Sequence, residues 1–179
     1  QLHRRQRQMC IRDSGYTNGT PELRQRVLDI YDQNLSIDNV LITSGSAEAN
    51  FLSIMTQLDA GDEIIYMVPN YLQIFHLARS LGIIVKTLPL RHELGWQWDP
   101  DELKKLVSSK TKMIVVCNPN NPTGAIMHDE IMDLVITIAE ENDCWILSDE
   151  VYRGAELKGE ECRSFCLLYT SDLPTMELV

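Results

Sequence analysis

Two hydrophobic periods alternate along the chain between residues 20 and 152. Apolar residues spaced three or four apart predict amphipathic helices, and the first helix has Thr20 as its N-cap and Pro21 at its first helical position. Short apolar runs rich in β-branched residues predict strands. The apolar faces expected on the first two helices consist of Leu23, Val27, Ile30 and Tyr31, and of Ala47, Phe51, Ile54, Met55 and Leu58.

Five strands are predicted, and helices separate them. The strands read NVLIT (39–43), EIIYMV (63–68), IIVKTL (83–88), KMIVVC (112–117) and CWILSD (144–149). Strands that are apolar throughout and alternate with helices are typical of a parallel sheet covered on both faces. The predicted fold class is therefore α/β, with a doubly wound, mostly parallel sheet.

Charge and composition argue against several classes of function. The chain has 179 residues, enough for one domain, and its formal net charge of −10 argues against a nucleic-acid partner. No apolar run approaches the roughly 18 residues of a membrane helix, so no membrane role is expected. The five cysteines lack metal-ligand spacing, and we predict no metal site and a reducing, cytoplasmic location.

The two ends of the chain differ from this regular pattern. Residues 1–14 show no helical or strand period, and RQMCIRDS within them resembles a translated sequencing-adapter segment, as does CLLYTSD near the other end. We therefore interpret residues 1–14 as a non-native tail and residues 159–179 as a mostly non-native or disordered tail. A natural basic arm and a natural tail are the alternative.

The segments that follow the strands carry the candidate chemistry, because ligands of doubly wound sheets gather beyond the carboxyl ends of the strands. After NVLIT, Gly45 permits a tight turn, and Ser46 and Ala47 open the next helix. Free backbone N–H groups at a helix N-terminus suit a phosphate. On this segment alone, a plain serine N-cap is the better explanation.

Three further strand ends add an aromatic ring, an amide and a carboxylate. Tyr71 follows the second strand, and Asn121 precedes Pro122, which holds it extended. Asp149 ends the last strand, three residues before Tyr152. Packing, a stiff loop and a helix cap are the ordinary roles of such residues. A carboxylate at the end of a buried strand needs a partner, however, and the whole set suggests a charged heterocycle.

The motifs SGSAEAN, PNY, NPNNPTG and SDEVYRG, in this order and at about this spacing, resemble the large domain of fold-type I pyridoxal-phosphate enzymes, the class I and II aminotransferases. The resemblance covers residues 15–154. It implies that residues 15–158 are part of a cofactor-binding large domain and that the small C-terminal domain of the family is missing. SGSAEANF, MVPNYLQI and VCNPNNPTG also resemble a capreomycidine-synthase-like branch.

The resemblance implies a role for each candidate around the ring of pyridoxal 5'-phosphate. Asp149 would pair with the protonated pyridine nitrogen, which makes the ring an electron sink. Tyr152 and Asn121 would hydrogen-bond the phenolic oxygen of the ring. Tyr71 would stack on the ring face.

The phosphate of the cofactor has its own implied partners. Gly45, Ser46 and Ala47 would cradle it at the helix N-terminus. Tyr16 matches a tyrosine that reaches the phosphate of the neighbouring subunit's cofactor. The working form would therefore be a homodimer.

Two family prolines that follow cis peptide bonds match Pro69 and Pro122. We therefore predict that the Val68–Pro69 and Asn121–Pro122 bonds are cis, against a base rate of about 5–6% for an X–Pro bond. Trans bonds at both positions would remove this support from the resemblance.

Two family features have no match in the sequence. The Schiff-base lysine would follow Tyr152 in a Ser- and Gly-containing loop, and Lys158 comes too soon, so we interpret Lys158 as a surface lysine. The arginine that binds the substrate carboxylate is also absent. We assign no catalytic residue, and we expect the chain by itself not to transaminate.

The predicted function of the parent protein is transfer of an amino group between an amino acid and a 2-oxo acid. A lyase, cyclase or decarboxylase on the same fold is an alternative, because the matched residues hold the cofactor and do not choose the reaction. A non-catalytic sensing domain of a regulator is another. A nucleotide-binding α/β domain would leave Asn121, Asp149 and Tyr152 unexplained.

Overall fold

The computed structural model describes residues 15–31, 35–157, 159, 161–168 and 175–178. The chain divides into two compact units, residues 1–44 and residues 45–179. The tail predicted at residues 1–14 and the surface position predicted for Lys158 lie outside the described residues. None of the helices in the described ranges combines the length and the apolar character needed to cross a lipid bilayer.

The N-terminal unit contains a short helix, α1 (Pro21–Leu28), followed by a 3₁₀ helix (Ile37–Asn39). Thr20 caps α1 as predicted, because its Oγ1 accepts a hydrogen bond from the Leu23 N–H at 3.3 Å. Proline at the first helical position has no N–H that would need a partner there. The predicted start of this helix is therefore confirmed.

The buried side of α1 differs in part from the predicted apolar face, of which Tyr31 is buried as predicted. Leu23 and Ile30 are exposed, whereas Arg24 is buried. The Arg24 guanidinium donates to the backbone carbonyl of Ile37 and, at 2.9 Å, to that of Val40. These hydrogen bonds satisfy a charge that hydrophobic periodicity alone places on the surface.

The predicted first strand, residues 39–43, is not a strand. Asn39 ends the 3₁₀ helix, and residues 40–43 pair with no strand among those that the structure describes. The Ile42 N–H donates instead to the carbonyl of Asn18 at 3.1 Å. A β-branched run becomes a strand only beside another strand, which is why this prediction was wrong.

Within the described residues, the C-terminal unit forms a five-stranded parallel sheet in the order β2-β1-β3-β4-β5. The carboxyl ends of all five strands therefore lie at one edge, called here the carboxyl edge, and their starts lie at the opposite amino edge. The predicted α/β class is confirmed. The strands are β1 (Glu63–Val68), β2 (Ile84–Pro89), β3 (Thr111–Cys117), β4 (Trp145–Asp149) and β5 (Thr175–Leu178).

Helices cover both faces of this sheet, as predicted. α2 (Ser46–Gln57) and α3 (Gln73–Ser80) pack on one face, and α4 (Pro100–Leu106) and α5 (Asp129–Asn142) pack on the other. Each face has its own buried cluster. The first cluster includes Ile54, Tyr66, Ile74, Val115 and Leu147, and the second includes Leu103, Val116, Val135 and Ile146.

The helix α2 buries only part of the predicted face: Ile54, and Leu58 at its C-cap, are buried as predicted. Asn50, Ser53 and Ile54 are buried, whereas Phe51 and Met55 are 45% and 46% exposed. Ser53 Oγ donates to the carbonyl four residues earlier at 2.8 Å. Local hydrogen bonds of this kind let small polar side chains lie in the interior, which a hydrophobic pattern does not anticipate.

Two stretches of the predicted C-terminal tail have regular structure. The short helix α6 (Phe165–Leu168) places Phe165, 0% exposed, in the cluster of α4 and α5, and β5 pairs with β4. Residues 160, 169–174 and 179 of this tail lie outside the described residues. The described part of the tail is thus not without structure, while its non-native origin stays a prediction.

Candidate functional site

The loops that follow β1, β3 and β4 meet at the carboxyl edge of the sheet, as the parallel topology requires. The Asn118 N–H donates to the carbonyl of Asp149 at 3.0 Å, which joins the loop after β3 to the end of β4. Asn120 Nδ2 donates to the carbonyl of Pro69 at 3.1 Å, which joins the same loop to the one after β1. Three of the four sequence motifs are therefore in direct contact.

The fourth motif, at the start of α2, is tied to the segment after β1 by Gln73. Gln73 Nε2 donates to the carbonyl of Ala47 at 2.8 Å. The hydroxyl of Tyr66, in β1, donates to the carbonyl of Tyr71 in that segment, and the Tyr71 N–H donates to Asn70 Oδ1 at 2.7 Å. The four motifs thus form one hydrogen-bonded set.

The start of α2 presents backbone donors. Gly45 is the N-cap, with a φ of 92° that disfavours any side chain, and its carbonyl accepts hydrogen bonds from the N–H groups of Glu48 and Ala49. The N–H groups of Ser46 and Ala47 donate to no acceptor within the ranges that the structure describes. A helix of 12 residues adds its dipole, so these donors suit an anion.

The three asparagines of NPNNPTG have different surroundings. Asn118 and Asn120 are buried: Asn118 Oδ1 accepts from the Met127 N–H at 2.8 Å, and Asn120 Oδ1 accepts from the Thr123 hydroxyl at 2.8 Å. The Asn121 side chain, which is half-buried, makes no hydrogen bond within the described part of the chain. Sequence reasoning selected Asn121 and missed the structural roles of the other two. The sequence signal for Asn118 was an amide placed directly after the apolar strand β3, and Asn120 lies two residues further on.

Asp149 is the buried carboxylate of this edge. It is 9% exposed, and its Oδ1 accepts a hydrogen bond from the Val151 N–H at 3.3 Å. Burial raises the pKa of Asp149, and the Val151 N–H opposes part of that rise. Among the residues described, no lysine, arginine or histidine nitrogen lies within 4.0 Å of this carboxylate. A buried carboxylate in this position is stabilised by a cation.

The direction of the Asp149 side chain follows from the alternation of a strand. Asp149 shares a face of β4 with Leu147, which packs in the cluster under α2 and α3. Burial raises the pKa of Tyr66 in that cluster, and the charges of Cys117 and Asp149 raise it further. Burial also raises the pKa of Cys117 to about 11, and both the Asn121 N–H and the Asp149 carboxylate act on this thiol. The alternation of β4 therefore places the carboxylate on the side of Leu147, which is the side of the sheet on which α2 packs.

Asn121 and Tyr152 line one cleft of about 440 Å³ beside this network. A volume of this size is typical of a small-molecule site. Tyr152 is 45% exposed, so its hydroxyl can reach a ligand in the cleft. The structure thus brings together the amide and the hydroxyl that were predicted to share a ligand atom. The other walls are mainly apolar and include Pro119, Pro122, Ile126, Ala155 and Leu157.

The two remaining candidates are exposed tyrosines. Tyr71, 59% exposed, lies at the carboxyl edge. Tyr16, 66% exposed, belongs to the N-terminal unit, where its carbonyl accepts a hydrogen bond from the Gly19 N–H at 3.2 Å. Their roles in ring stacking and phosphate contact stay predictions. No group of three metal-ligating side chains gathers in the part of the chain that the structure describes.

Both predicted cis peptide bonds are confirmed. Val68–Pro69 and Asn121–Pro122 are cis, as the resemblance implied. A third cis bond, Asn118–Pro119, was not predicted. All three lie in the loops that follow β1 and β3.

The sequence matches a family model described as aminotransferase class I and II over residues 4–171. The aspartate aminotransferase of Pyrococcus horikoshii is 36% identical over 149 residues, which are 78% of this chain and 38% of that protein. The chain thus spans a little under two fifths of the length of the first curated relatives that it matches.

Solved structures also match this chain to aminotransferases. An alanine aminotransferase from Pyrococcus furiosus superposes with a TM-score of 0.85 at 32% identity, covering 91% of this chain and 42% of that one. A PLP-dependent aminotransferase from Streptococcus suis has a TM-score of 0.81 at 34% identity, covering 87% of this chain and 41% of that one. The fold, the motif order and the family match agree, and the chain belongs to the class I and II aminotransferase family.

Proposed function

We propose that the chain holds pyridoxal 5'-phosphate at the carboxyl edge of its sheet, and that the whole protein transfers an amino group between an amino acid and a 2-oxo acid. Asp149 carries the proposal. Its carboxylate is buried and has a raised pKa, and its backbone carbonyl accepts a hydrogen bond from Asn118, in the loop that bears Asn121. The similarity to proteins named aspartate and alanine aminotransferases supports amino transfer over the lyase and cyclase alternatives.

The residues at this edge fit each polar part of the cofactor. The N–H groups of Ser46 and Ala47 suit the phosphate, and Gly45 leaves open space where a side chain would begin. The carboxylate of Asp149 suits a protonated ring nitrogen. The Asn121 amide and the Tyr152 hydroxyl share a cleft and can both donate to a phenolic oxygen.

When bound, the cofactor supplies a protonated pyridine ring that accepts electron density from the substrate α-carbon. Asp149 keeps the proton on the ring nitrogen, because an ionised carboxylate favours the charged form of its partner. Asn121 and Tyr152 would orient the ring through hydrogen bonds, and Tyr71 would pack on its face.

The working form in this proposal is a homodimer. Tyr16 of one copy contacts the phosphate that the other copy holds at Ser46 and Ala47. The exposure of the Tyr16 ring, which is available to a second copy, supports this arrangement.

Equilibrium dialysis of the full chain against pyridoxal 5'-phosphate tests the cofactor assignment. We expect one saturable site and roughly tenfold weaker binding in Asp149→Asn, which loses a charge-assisted hydrogen bond. Glu63→Gln makes the same carboxylate-to-amide change at the amino edge and is the matched control, with unchanged affinity. Equal affinity of Asp149→Asn and wild type, or tighter binding of ATP than of pyridoxal phosphate, would contradict the assignment.

Turnover of the whole protein gives a second readout. We expect Asp149→Ala to reduce turnover by far more than it reduces cofactor retention. The proton on the ring nitrogen matters most when negative charge develops in the transition state. A variant with normal turnover would contradict the role of Asp149 as the partner of the ring nitrogen.

A further inference from the structure

Two amide side chains join the first turns of α2 and α3. Gln73 Nε2 donates to the carbonyl of Ala47 at 2.8 Å, and Asn50 Nδ2 donates to Gln73 Oε1 at 3.2 Å. Asn50 is 1% exposed and lies in the second turn of α2. The pair therefore spans the space between the turn that bears Ser46 and the segment that bears Tyr71.

The orientation of both amides is determined by this arrangement. The Ala47 carbonyl can only accept, so the NH₂ group of Gln73 must face it and Gln73 Oε1 must face Asn50. Asn50 then has to present its own NH₂ group. The Ala47 carbonyl thus fixes the orientation of the Gln73 amide, and Gln73 fixes that of Asn50. Ala47 belongs to the turn that is predicted to bind the phosphate.

The arrangement leaves one buried atom unsatisfied. Asn50 Oδ1 is buried and has no hydrogen-bond partner within the residues that the structure describes. An unsatisfied buried oxygen is destabilising, and an apolar side chain of similar shape is nearly neutral or stabilising in such a place. The pair therefore contributes little to the stability of the fold, and its effect is on orientation.

We propose that Gln73 and Asn50 are positioning residues for the cofactor phosphate. They hold the first turn of α2 so that the N–H groups of Ser46 and Ala47 converge on one oxygen-rich group, at a fixed distance from the Tyr71 segment. This inference rests on the proposed function. Neither side chain touches the reacting atoms, so the effect is on phosphate affinity.

The test compares two ligands that differ only in the phosphate. Gln73→Met and Asn50→Leu remove the amides and keep the approximate volume. We expect each to weaken binding of pyridoxal 5'-phosphate roughly three- to tenfold, the equivalent of one hydrogen bond, and to leave binding of pyridoxal unchanged. The double variant should be no worse than the worse single variant, because the two residues act as one unit.

A control and a second measurement separate positioning from a structural role. Gln57→Met changes the glutamine at the C-terminal end of α2, whose Nε2 donates to Thr56 Oγ1 at 3.2 Å, and it should alter neither affinity. Asn50→Leu should leave the melting temperature unchanged or raise it, while phosphate-dependent binding falls. A melting temperature that stays the same or rises while affinity for the phosphate-bearing ligand falls would indicate a positioning role.

Four results would overturn the inference. Equal loss of affinity for both ligands would mean a structural role. A fall in the melting temperature of Asn50→Leu together with its loss of affinity would mean the same. Unchanged affinity in both variants, with wild type binding pyridoxal 5'-phosphate, would overturn this inference alone. Absence of binding by wild type would overturn the proposed function and this inference with it.

Discussion

Two carboxylates at opposite edges of the sheet have opposite electrostatic environments. Glu63 begins β1 at the amino edge, where Lys86 Nζ lies 2.6 Å from its Oε2 and the Ser108 hydroxyl donates to the same oxygen. The hydrogen bond from Lys86 is the largest cause of a lowered pKa for Glu63. Asp149 ends β4 at the carboxyl edge, where burial raises its pKa.

We interpret the difference as separating a carboxylate that serves the fold, Glu63, from one that is proposed to serve a ligand, Asp149. At the amino edge, the chain supplies both the anion and the cation, so the pair is complete within the protein. At the carboxyl edge, the loops around Asp149 are tied by neutral amides such as Asn118 and Asn120. Neutral donors can order a loop without neutralising a nearby carboxylate. Asp149 is thus a buried carboxylate without a cationic partner among the described residues, and a cationic ligand can pair with it.

The largest effect on stability is expected from the amides that order the carboxyl edge. Asn120→Ala removes the hydrogen bonds that this buried side chain makes to the Pro69 carbonyl and to the Thr123 hydroxyl and N–H, and leaves a cavity in their place. We expect a loss of about 2–4 kcal/mol in the free energy of unfolding, measured in urea. Asn121→Ala is the matched control, because that side chain is half-buried and unpaired within the described residues, and it should change stability by less than about 0.5 kcal/mol. Equal losses would mean that both asparagines are structural.

A smaller effect is expected at the amino edge. Lys86→Met removes the cation of the Glu63 pair, and we expect a loss of about 1 kcal/mol in the free energy of unfolding. The loss should shrink in high salt, since a partly exposed pair is screened. Lys105→Met, at an exposed position of α4, is the control and should have no measurable effect. A loss that salt leaves unchanged would indicate that Lys86 acts by packing.

The smallest effects are in the pH dependence of stability, and the two carboxylates should differ in sign. The raised pKa of Asp149 means that the fold favours its protonated form; this stability is complete below the ordinary value of 3.8 and is lost as pH rises through the raised pKa. Asp149→Asn should therefore unfold at higher denaturant than wild type at neutral pH and match it in acid. Lower stability of this variant at neutral pH would contradict the assigned environment.

Glu63 should show the reverse behaviour. Its lowered pKa contributes stability that is present above the ordinary value of 4.5 and is lost as pH falls through the lowered pKa. Glu63→Gln should therefore be less stable than wild type at neutral pH, and the difference should vanish in acid. Denaturant unfolding at a series of pH values measures both variants in one experiment.

The sequence predicts the elements of the C-terminal unit better than their surroundings. The strands around Tyr66, Val115 and Leu147 follow from their apolar runs, because a strand buried on both faces has few alternatives. The run at residues 39–43 has the same composition and is not a strand, because pairing depends on what lies beside it. Local composition contains no information about that neighbour.

The same limit applies to the candidate site. Asp149 and Asn121 could be selected because a strand end in a parallel sheet is at a known edge, whichever helices cover it. The burial of Asn50 and Asn120 could not, since each depends on a partner more than twenty residues away in sequence, Gln73 for Asn50 and Pro69 for Asn120. A periodic pattern of hydrophobic residues contains no information about an amide whose hydrogen-bond partner is distant in sequence.

The protonation state of the cofactor's ring nitrogen decides whether Asp149 has the role proposed for it. The measurement is the ¹⁵N chemical shift of pyridoxal 5'-phosphate, labelled at the ring nitrogen and bound to the full chain, followed from neutral to alkaline pH. We predict a protonated nitrogen in wild type at a pH where the free cofactor has lost this proton, and an unprotonated one in Asp149→Asn. An unprotonated nitrogen in wild type, or the same shift in both proteins, would contradict the account.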